Sequence, residues 1–581
     1  MKTIAHQLDA AFRAAIRAAF DLDADPLITA SQNDKFGDYQ SNAAMGLAKL
    51  VTERTGQKTN PRAVAEQILA KLDLGGMADG PPDKNWIAGP GFINVRLSPR
   101  WVAAQLAAAA KDDRLGVEAV EVPQTVVVDY SGPNVAKEMH VGHIRSTILG
   151  DAVARVLEFR GDRVIRQNHL GDWGTQFGML IAELRSVGGG AEHIEDLEAF
   201  YVQAKKRFDA EPAFADEARQ TVVQLQAGGS DELGLWQRIV AETRRHYQAV
   251  YETLGVGLKQ SDERGESFYN PYLADVVREL RAKGLAVESE GAIAVFADGP
   301  GKAPLIVEKS GGGFLYGTTD LAALRYRTEQ LHANRVLYFV DARQSQHFQQ
   351  VFATARKAGW AEGVALEHAA FGTMLGPDGK PFKSRTGGTV KLKDLLGEAE
   401  ERAFALVTEK NPELPEDRRK AIAHAVGIGG VKYADLSKDR TSDYMFSFDA
   451  MLATDGNTAP YMQYAYARVR SIFRKAAERE ISYAGLAAAT FDVSAPQEIA
   501  LAKQILRFGE TVEGVARELK PHLLCAYLYD LAGKYSSFYE ACPVLTSEEP
   551  TRTSRLALAD LTARTLAKGL DLLGIEHPEQ M

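Results

Sequence analysis

The sequence predicts a multidomain α/β protein in which a parallel-sheet domain is preceded by an α+β domain and followed by an α-helical bundle. Three observations lead there. Two strand–helix units with short, wholly apolar strands stand far apart in the chain, as in one parallel sheet split by an insertion. The segment before them mixes helical stripes with turn clusters, and from Leu395 onward helical stripes displace strand signals. At 581 residues the chain is also too long for one core, since domains average about 150 residues.

Ile4, Leu8, Phe12, Ile16 and Phe20 form one helical stripe, and Asp9, Arg13 and Arg17 interrupt the apolar core that a signal peptide needs. An amphipathic first helix follows from this spacing. The extended piece Phe92-Ile93-Asn94-Val95-Arg96-Leu97, between Gly91 and Pro99, closes an α+β domain placed at residues 1–112. After an Ala-rich helix from Trp101 to Lys111 and a polar linker, Val126-Val127-Val128-Asp129-Tyr130 reads as a buried strand. Ile144, Ile148, Ala152, Val156 and Leu157 then mark a helix ending at Gly161, and Val164-Ile165 starts the next strand. This is a βαβ unit, which binds ligands at the C-terminal ends of its strands. Val336 to Val340, followed by a helix carrying Val351, Phe352 and Ala355 up to Gly359, makes the second unit, so that residues 120–394 form the sheet domain with its insertion. Residues 395–581 read as a helical bundle, with Leu501, Ile505, Phe508 and Val512 on one stripe.

Composition removes several function classes. A hydrophobic fraction of 45% and a charged fraction of 25%, without repeats or low-complexity tracts, belong to a folded chain rather than a disordered one. Apolar runs such as Val126–Val128 and Ala107–Ala110 fall far short of the roughly 18 residues that span a membrane. Cys525 and Cys542, the only cysteines, form no Cys-x-x-Cys pair, so no structural zinc is expected and a cytoplasmic location is. A net charge of −9 argues against nonspecific nucleic-acid coating but leaves room for local basic faces.

Two segments carry chemistry. In Pro133-Asn134-Val135-Ala136-Lys137-Glu138-Met139-His140-Val141-Gly142-His143, between a strand and a helix start, two imidazoles three residues apart face one ligand. Gly142 allows close approach of a nucleotide, the helix start offers N–H groups to phosphate, and the histidines donate to an α-phosphate as charge builds. Such a pair in isolation is more often a surface or metal-binding pair; its position between strand and helix points to phosphate. The second segment, Gly376-Pro377-Asp378-Gly379-Lys380-Pro381-Phe382-Lys383-Ser384-Arg385-Thr386-Gly387-Gly388, is a glycine-bounded basic loop suited to clamping a triphosphate. Alone, such a segment is more often a solvated turn.

His140-Val141-Gly142-His143 resembles the HIGH motif of class I aminoacyl-tRNA synthetases, and Lys380-Pro381-Phe382-Lys383-Ser384 resembles their KMSKS loop. The stretch from Asp129 to Lys137, the stretch from Asn168 to Gly178, and Asn457 to Arg468 are similar to arginyl-tRNA synthetases along the whole chain. The resemblance implies a class I Rossmann-like catalytic domain, an anticodon-binding helical bundle, ATP as substrate with Mg2+, L-arginine and tRNA(Arg) as partners, and a monomer. The loop also aligns as Phe382-Lys383-Ser384-Arg385 on Met-Ser-Lys-Ser, which leaves Ser384 where the second lysine is expected. Family resemblance implies that Lys137 then supplies the missing charge, so Lys383 and Lys137 both stand as catalytic candidates beside His140 and His143, with Gly142, Lys380, Ser384 and Arg385 binding ATP.

A pocket for arginine must pair a planar, permanently charged guanidinium, which carboxylates do with forked hydrogen bonds. Tyr316 and Asp320 stand four apart on a helix start and share a face. The resemblance implies Tyr316, Asp320, Gln344, Asp129, Asn134 and His140 as arginine ligands, and Glu266, in Arg264-Gly265-Glu266-Ser267-Phe268, is a weaker candidate for a second carboxylate. Taken singly, Asp320 also reads as a helix cap, Gln344 as a surface amide and Tyr316 as a core edge. From Gly456 to Ala477 there is no acidic residue, and Arg468, Arg470, Arg474 and Lys475 alternate with Tyr461, Tyr464, Tyr466 and Phe473, a mix suited to RNA phosphates and unstacked bases or to an ordinary amphipathic helix. Tyr461 and Arg468 there, with Phe92 and Asn94 resembling a family pair at the outer corner of tRNA, are the expected tRNA contacts. A class I synthetase for another amino acid and a catalytically silent RNA-binding relative are the rival readings.

Overall fold

The computed structural model describes the chain apart from residues 32, 189–196, 298, 300–301, 311 and 383–389. Four parallel strands make the central sheet, in the order Ala365–His368, Arg335–Tyr338, Thr125–Asp129, Arg163–Gln167. Asp129 is in register with Tyr338 on one side and Gln167 on the other, so these strands end on one common edge. The middle of the strand Thr125–Asp129 has to be apolar: Val126 and Val128 enter a core shared with the N- and C-terminal regions, and Val127 enters the core on the opposite face. With the sheet covered on both sides, none of the three valines faces solvent.

The helix Ile144–Arg160 follows, buried nearly all round from Ile144 to Leu157, and stops at Gly161 in the left-handed region (φ 99°). After the strand Arg163–Gln167 the chain leaves the sheet as five helices, Gln176–Ser186, Leu197–Ala210, Pro212–Gln226, Ser230–Leu254 and Glu266–Ala282. A three-stranded antiparallel sheet (Ala286–Ser289, Ala292–Val295, Leu305–Glu308) and the helix Tyr316–Glu329 lead back. The insertion expected between the two βαβ units is this excursion.

In the N-terminal region the helix Ile4–Phe20 buries Ile4, Leu8, Phe12 and Ile16, and Thr3 caps it by accepting from the His6 N–H at 3.2 Å. It packs beside an antiparallel sheet ordered Ile28–Ala30, Tyr39–Ser41, Phe92–Val95, Ile87–Ala88. The C-terminal half is helical from Leu392–Lys410 to Thr551–Leu572. Two local expectations change there. Leu501 and Ile505 lie on the helix Pro496–Leu506 and Phe508 and Val512 on the separate helix Phe508–Glu518, with the break at Arg507; all four stay buried because the bend keeps both helices on one core. A two-residue strand, Tyr444–Met445, pairs in parallel with Met374–Leu375, too short to leave a periodic signal.

The helical half is tied to the sheet domain by charge as well as packing. Arg145 and Asp435, both fully buried, form an ion pair at 3.0 Å, and Arg145 also donates to the Ser442 carbonyl at 3.0 Å. Among the described residues, no helix is long and apolar enough to cross a membrane.

Candidate active site

Beyond Asp129 the chain turns through Ser131 (φ 74°) and Ala136 (φ 63°), two non-glycine residues in the left-handed region. Hydrogen bonds hold that backbone in place: the N–H groups of Ser131, Gly132 and Ala136 donate to Ser146 Oγ at 2.8 Å, Asn168 Oδ1 at 3.0 Å and Thr243 Oγ1 at 3.0 Å. Strained backbone over-determined in this way clusters at functional sites. The loop delivers His140 as the cap of the turn Val141–His143, from which the helix Ile144–Arg160 continues.

The two histidines cap each other's backbone. The Gly142 N–H donates to His140 Nδ1 at 3.0 Å, the His140 N–H donates to His143 Nδ1 at 3.1 Å, and the ring centroids are 4.0 Å apart. Accepting at Nδ1 assigns the proton of the neutral His140 ring to Nε2. The His143 Nδ1 faces both the His140 N–H at 3.1 Å and the His140 carbonyl at 3.2 Å, so its tautomer sets which contact it makes. Burial, with His140 alongside, pushes the His143 pKa down to about 4 against the opposing pull of the His140 backbone. His143 is therefore a neutral N–H donor at pH 7. A Cβ on Gly142 would lie 2.7 Å from His140 Cε1, so the cap itself requires glycine there.

Both ends of the basic segment are anchored nearby. On the entry side the Phe382 N–H donates to the Met374 carbonyl at 3.2 Å and the Gly376 N–H to the Lys380 carbonyl at 2.7 Å. On the exit side the Val141 N–H donates to the Val390 carbonyl at 3.1 Å and the Leu392 N–H to the Met139 carbonyl at 2.8 Å, which stitches the chain to the histidine turn. Lys383, Ser384 and Arg385 lie outside the described residues.

At the C-terminal edge of the sheet a cleft of about 500 Å3 is lined by Asp129, Asn134, His140, Gly142, His143, Glu266, Tyr316, Asp320 and Gln344, all of them residues singled out from the sequence. Asn134 is fitted against Gly171, where a Cβ would come within 2.4 Å of its Oδ1. Among the described residues four carboxylates line the cleft, and Asp341 is paired with its neighbour Arg343 at 2.7 Å; the other three differ in their surroundings. Asp129 is held at 2.8 Å by the fully buried Arg327, which also donates to Gln167 Oε1 at 2.6 Å. Asp320 pairs with His347 Nε2 at 2.5 Å, and Tyr316, one helical turn back, packs on the His347 ring at 4.9 Å. Glu266 has no cationic partner among the described residues. Burial, then Asp172 and Asp320, pushes its pKa up to about 7 against the Trp173 N–H that it accepts. Such a carboxyl lacks a cation.

Sequence reasoning did not single out His169, His347, Asp172, Asp341 or Arg343 as site residues. His169, Asp341 and Arg343 line the cleft; the His169 ring stacks on Tyr269 at 5.6 Å, and its buried Nδ1 has no hydrogen-bond partner. His169 and Asp172 stood in the stretch from Asn168 to Gly178, so the signal was present there. His347 gave none, since the 27 residues separating it from Asp320 are closed only by the fold.

Other expected residues sit elsewhere. Lys137 is exposed, with Nζ 4.5 Å above the Tyr201 ring of the insertion, and Lys380 is exposed on its hairpin. Asn94 accepts from Gln40 Nε2 at 2.8 Å on the N-terminal sheet, beside Phe92 on the same face. Tyr461 and Arg468 lie on the helix Ala459–Glu478, packed on Tyr529 (5.6 Å) and Tyr539 (4.9 Å). On that helix Tyr464 is exposed while Tyr466 and Phe473 are buried, so its aromatics are divided between surface and core.

Residues 105–448 match the family described as tRNA synthetases class I (R), catalytic domain, residues 462–581 the DALR anticodon binding domain, and residues 6–97 the arginyl tRNA synthetase N terminal domain. The chain is 56% identical over 575 residues to the arginine–tRNA ligase of Cellvibrio japonicus, covering 96% of each, and 55% identical to that of Saccharophagus degradans, covering 97% of each. Among solved structures, it superposes on the arginyl-tRNA synthetase of Plasmodium falciparum with a TM-score of 0.85 at 30% identity and on that of Thermus thermophilus with 0.83 at 27%, each over the full length of both chains.

Proposed function

The chain belongs to the arginyl-tRNA synthetase family, and from that premise we propose how its cleft selects arginine and activates it. The enzyme is an arginine–tRNA ligase: ATP converts L-arginine to arginyl-adenylate with loss of pyrophosphate, and the arginyl group passes to tRNA(Arg) with release of AMP. One observation carries the reading of the site. A turn carrying two histidines and a carboxyl lacking a cation share one cleft at the strand ends.

Glu266 and Asp320 bracket the guanidinium, and Tyr316 and Gln344 orient it. Asp129, already neutralised by Arg327, and Asn134 with His140 hold the polar end of the amino acid. The Nε2–H groups of His140 and His143 donate to the α-phosphate as arginine's carboxylate attacks it, and Gly142 leaves room for the nucleotide. Charge on the departing pyrophosphate is met by Lys380, Lys383, Ser384 and Arg385, with Lys137 as the further cation; electrostatic complementarity to developing charge is the main catalytic term in such a site. Mg2+ enters as the counterion of the triphosphate, and no residue is assigned to it.

We further propose that residues 1–112, 120–394 and 395–581 divide the labour. Phe92 and Asn94 meet the outer corner of tRNA(Arg), the sheet domain holds the chemistry, and Tyr461 and Arg468 meet the anticodon arm. The enzyme works as a monomer in the cytoplasm. Aminoacylation of total tRNA with each labelled amino acid in turn tests the reading: arginine alone should be transferred, and transfer of another amino acid in its place would overturn it.

A further inference from the structure

Two of the residues proposed to read the guanidinium, Tyr316 and Asp320, share one neighbour behind the cleft wall. His347, on the helix Ser345–Lys357 and 13% exposed, bonds Asp320 Oδ2 through Nε2 at 2.5 Å, and the Tyr316 ring packs on its imidazole with centroids 4.9 Å apart. Gln344, the residue just before that helix, lines the cleft itself, so one turn of chain supplies both a cleft residue and the group behind it. His347 thereby ties the start of the helix Tyr316–Glu329 to the start of the helix Ser345–Lys357.

A carboxylate only accepts hydrogen bonds, so the proton in that bond belongs to the imidazole. Among the described residues Asp320 makes no other hydrogen bond or ion pair, which leaves Oδ1 as the oxygen open to a ligand. Because Oδ2 already carries the imidazole, a grip of one guanidinium by both oxygens of Asp320 is disfavoured, and the fork needs a second acceptor. Glu266 stands within electrostatic reach to supply it, since Asp320 is one of the charges that push the Glu266 carboxyl up. Tyr316 depends on the same neighbour: it is 64% exposed, and the imidazole is the ring it rests on.

We propose that His347 is a positioning residue for the selection of arginine: its Nε2–H aims Asp320 so that the guanidinium is held between one oxygen of Asp320 and the Glu266 carboxylate. The inference rests on the proposal that Asp320 and Glu266 bracket the guanidinium. Without this donor the Asp320 side chain is free to turn, and arginine has to order it on binding. An imidazole can do this as a neutral donor, which leaves Asp320 its charge for the ligand, whereas Arg327 pairs Asp129 with a full cation.

Arginine is titrated calorimetrically into the full-length enzyme with tRNA(Arg) and a nonhydrolysable ATP analogue present, at about pH 8, where Glu266 with a pKa of about 7 is mostly ionised. H347F keeps a ring for Tyr316 and removes the donor, and should weaken arginine binding on the order of tenfold while turnover at saturating arginine stays within about twofold of the parent. H347Q, whose amide nitrogen reaches the same place without a ring, should bind arginine within about threefold of the parent. H347N, with an amide too short to reach, should lose as H347F does, and keeps the test decisive if H347F fails to fold. In a D320N background H347F should change arginine binding by less than about twofold, because both substitutions then remove one interaction. Equal losses in the two backgrounds, a loss in H347Q but not in H347F, or tighter arginine binding in H347F each overturn the inference. So does a fall of ATP binding and saturating turnover in step with arginine binding, which would make His347 a packing residue only. Arginine binding unchanged in H347F but weakened in D320N overturns this inference alone; unchanged binding in D320N overturns the bracketing of the guanidinium on which it rests.

Discussion

Arginine binding is expected to expel a proton from Glu266. In the free enzyme this carboxyl keeps its proton up to about pH 7 instead of the ordinary 4.5, because it is buried and because Asp172 and Asp320 stand near it. A guanidinium seated between Glu266 and Asp320 favours the ionised form and draws the pKa back toward 4.5. At pH 7 about half a proton should then leave per arginine bound, and at pH 6 nearly a whole one, with the linked free energy reaching at most about 3 kcal/mol. Affinity should climb by up to about tenfold per pH unit from about 5 to 7 and level off above about 8. The same group sets a sign for stability. Its folded pKa is raised, so its contribution is fully present below about 4.5 and is lost as pH rises through about 7, unless arginine is bound. Calorimetric titration at two pH values in buffers of different ionisation heat, with tRNA(Arg) and a nonhydrolysable ATP analogue present, measures the protons released, and Glu266→Gln should abolish them. Pairing of Glu266 with the guanidinium is refuted if the parent releases none, or if the variant releases as many.

Three further outcomes follow from the geometry. His143→Ala should slow adenylate formation by about 2.7 to 4 kcal/mol of transition-state stabilisation while tRNA binding holds, and because His143 titrates at about 4 the parent's activation rate should show no inflection from this ring between pH 6 and 8; equal losses in both assays would point to misfolding. Arg468→Ala should weaken tRNA(Arg) binding and flatten its salt dependence, and an unchanged slope would leave Arg468 as packing for Tyr539. Asp435→Asn strands the buried Arg145 and should destabilise the fold by about 3 to 5 kcal/mol, read as a lower urea midpoint; an unchanged midpoint would mean that the pair stabilises nothing.

The sheet domain was legible because its strands are buried on both faces, so Val126–Val128 and Val336–Phe339 appear as unbroken apolar runs. The histidine turn was legible because its chemistry is local: His140, Gly142 and His143 cap one another across three residues. Features set by distance along the chain were not. His347 meets Asp320, and Arg327 meets Asp129, only after the insertion folds back onto the sheet, and no spacing announces either pair. The electrical ranking of the carboxylates was equally hidden. Glu266 looked like the weaker candidate by motif, yet among the described residues it has no basic partner, whereas Asp129 has Arg327, Asp320 has the His347 ring and Asp341 has Arg343. The stripe from Leu501 to Val512 shows the opposite failure: a periodic pattern continued across a helix break at Arg507, because the bend preserves the buried face.

Selection of the guanidinium by carboxylates is tested most directly at Asp320. Asp320→Asn keeps the size of the side chain and removes its charge, leaving a desolvated cation imperfectly paired, which usually costs several kcal/mol. Arginine and citrulline, whose ureido group is neutral, are titrated calorimetrically with tRNA(Arg) and a nonhydrolysable ATP analogue, after checking that the variant melts like the parent. Arginine should bind at least about a hundredfold more weakly to the variant, citrulline should lose much less, and the ratio between the two should narrow. Equal weakening of both ligands would contradict reading of the guanidinium by Asp320.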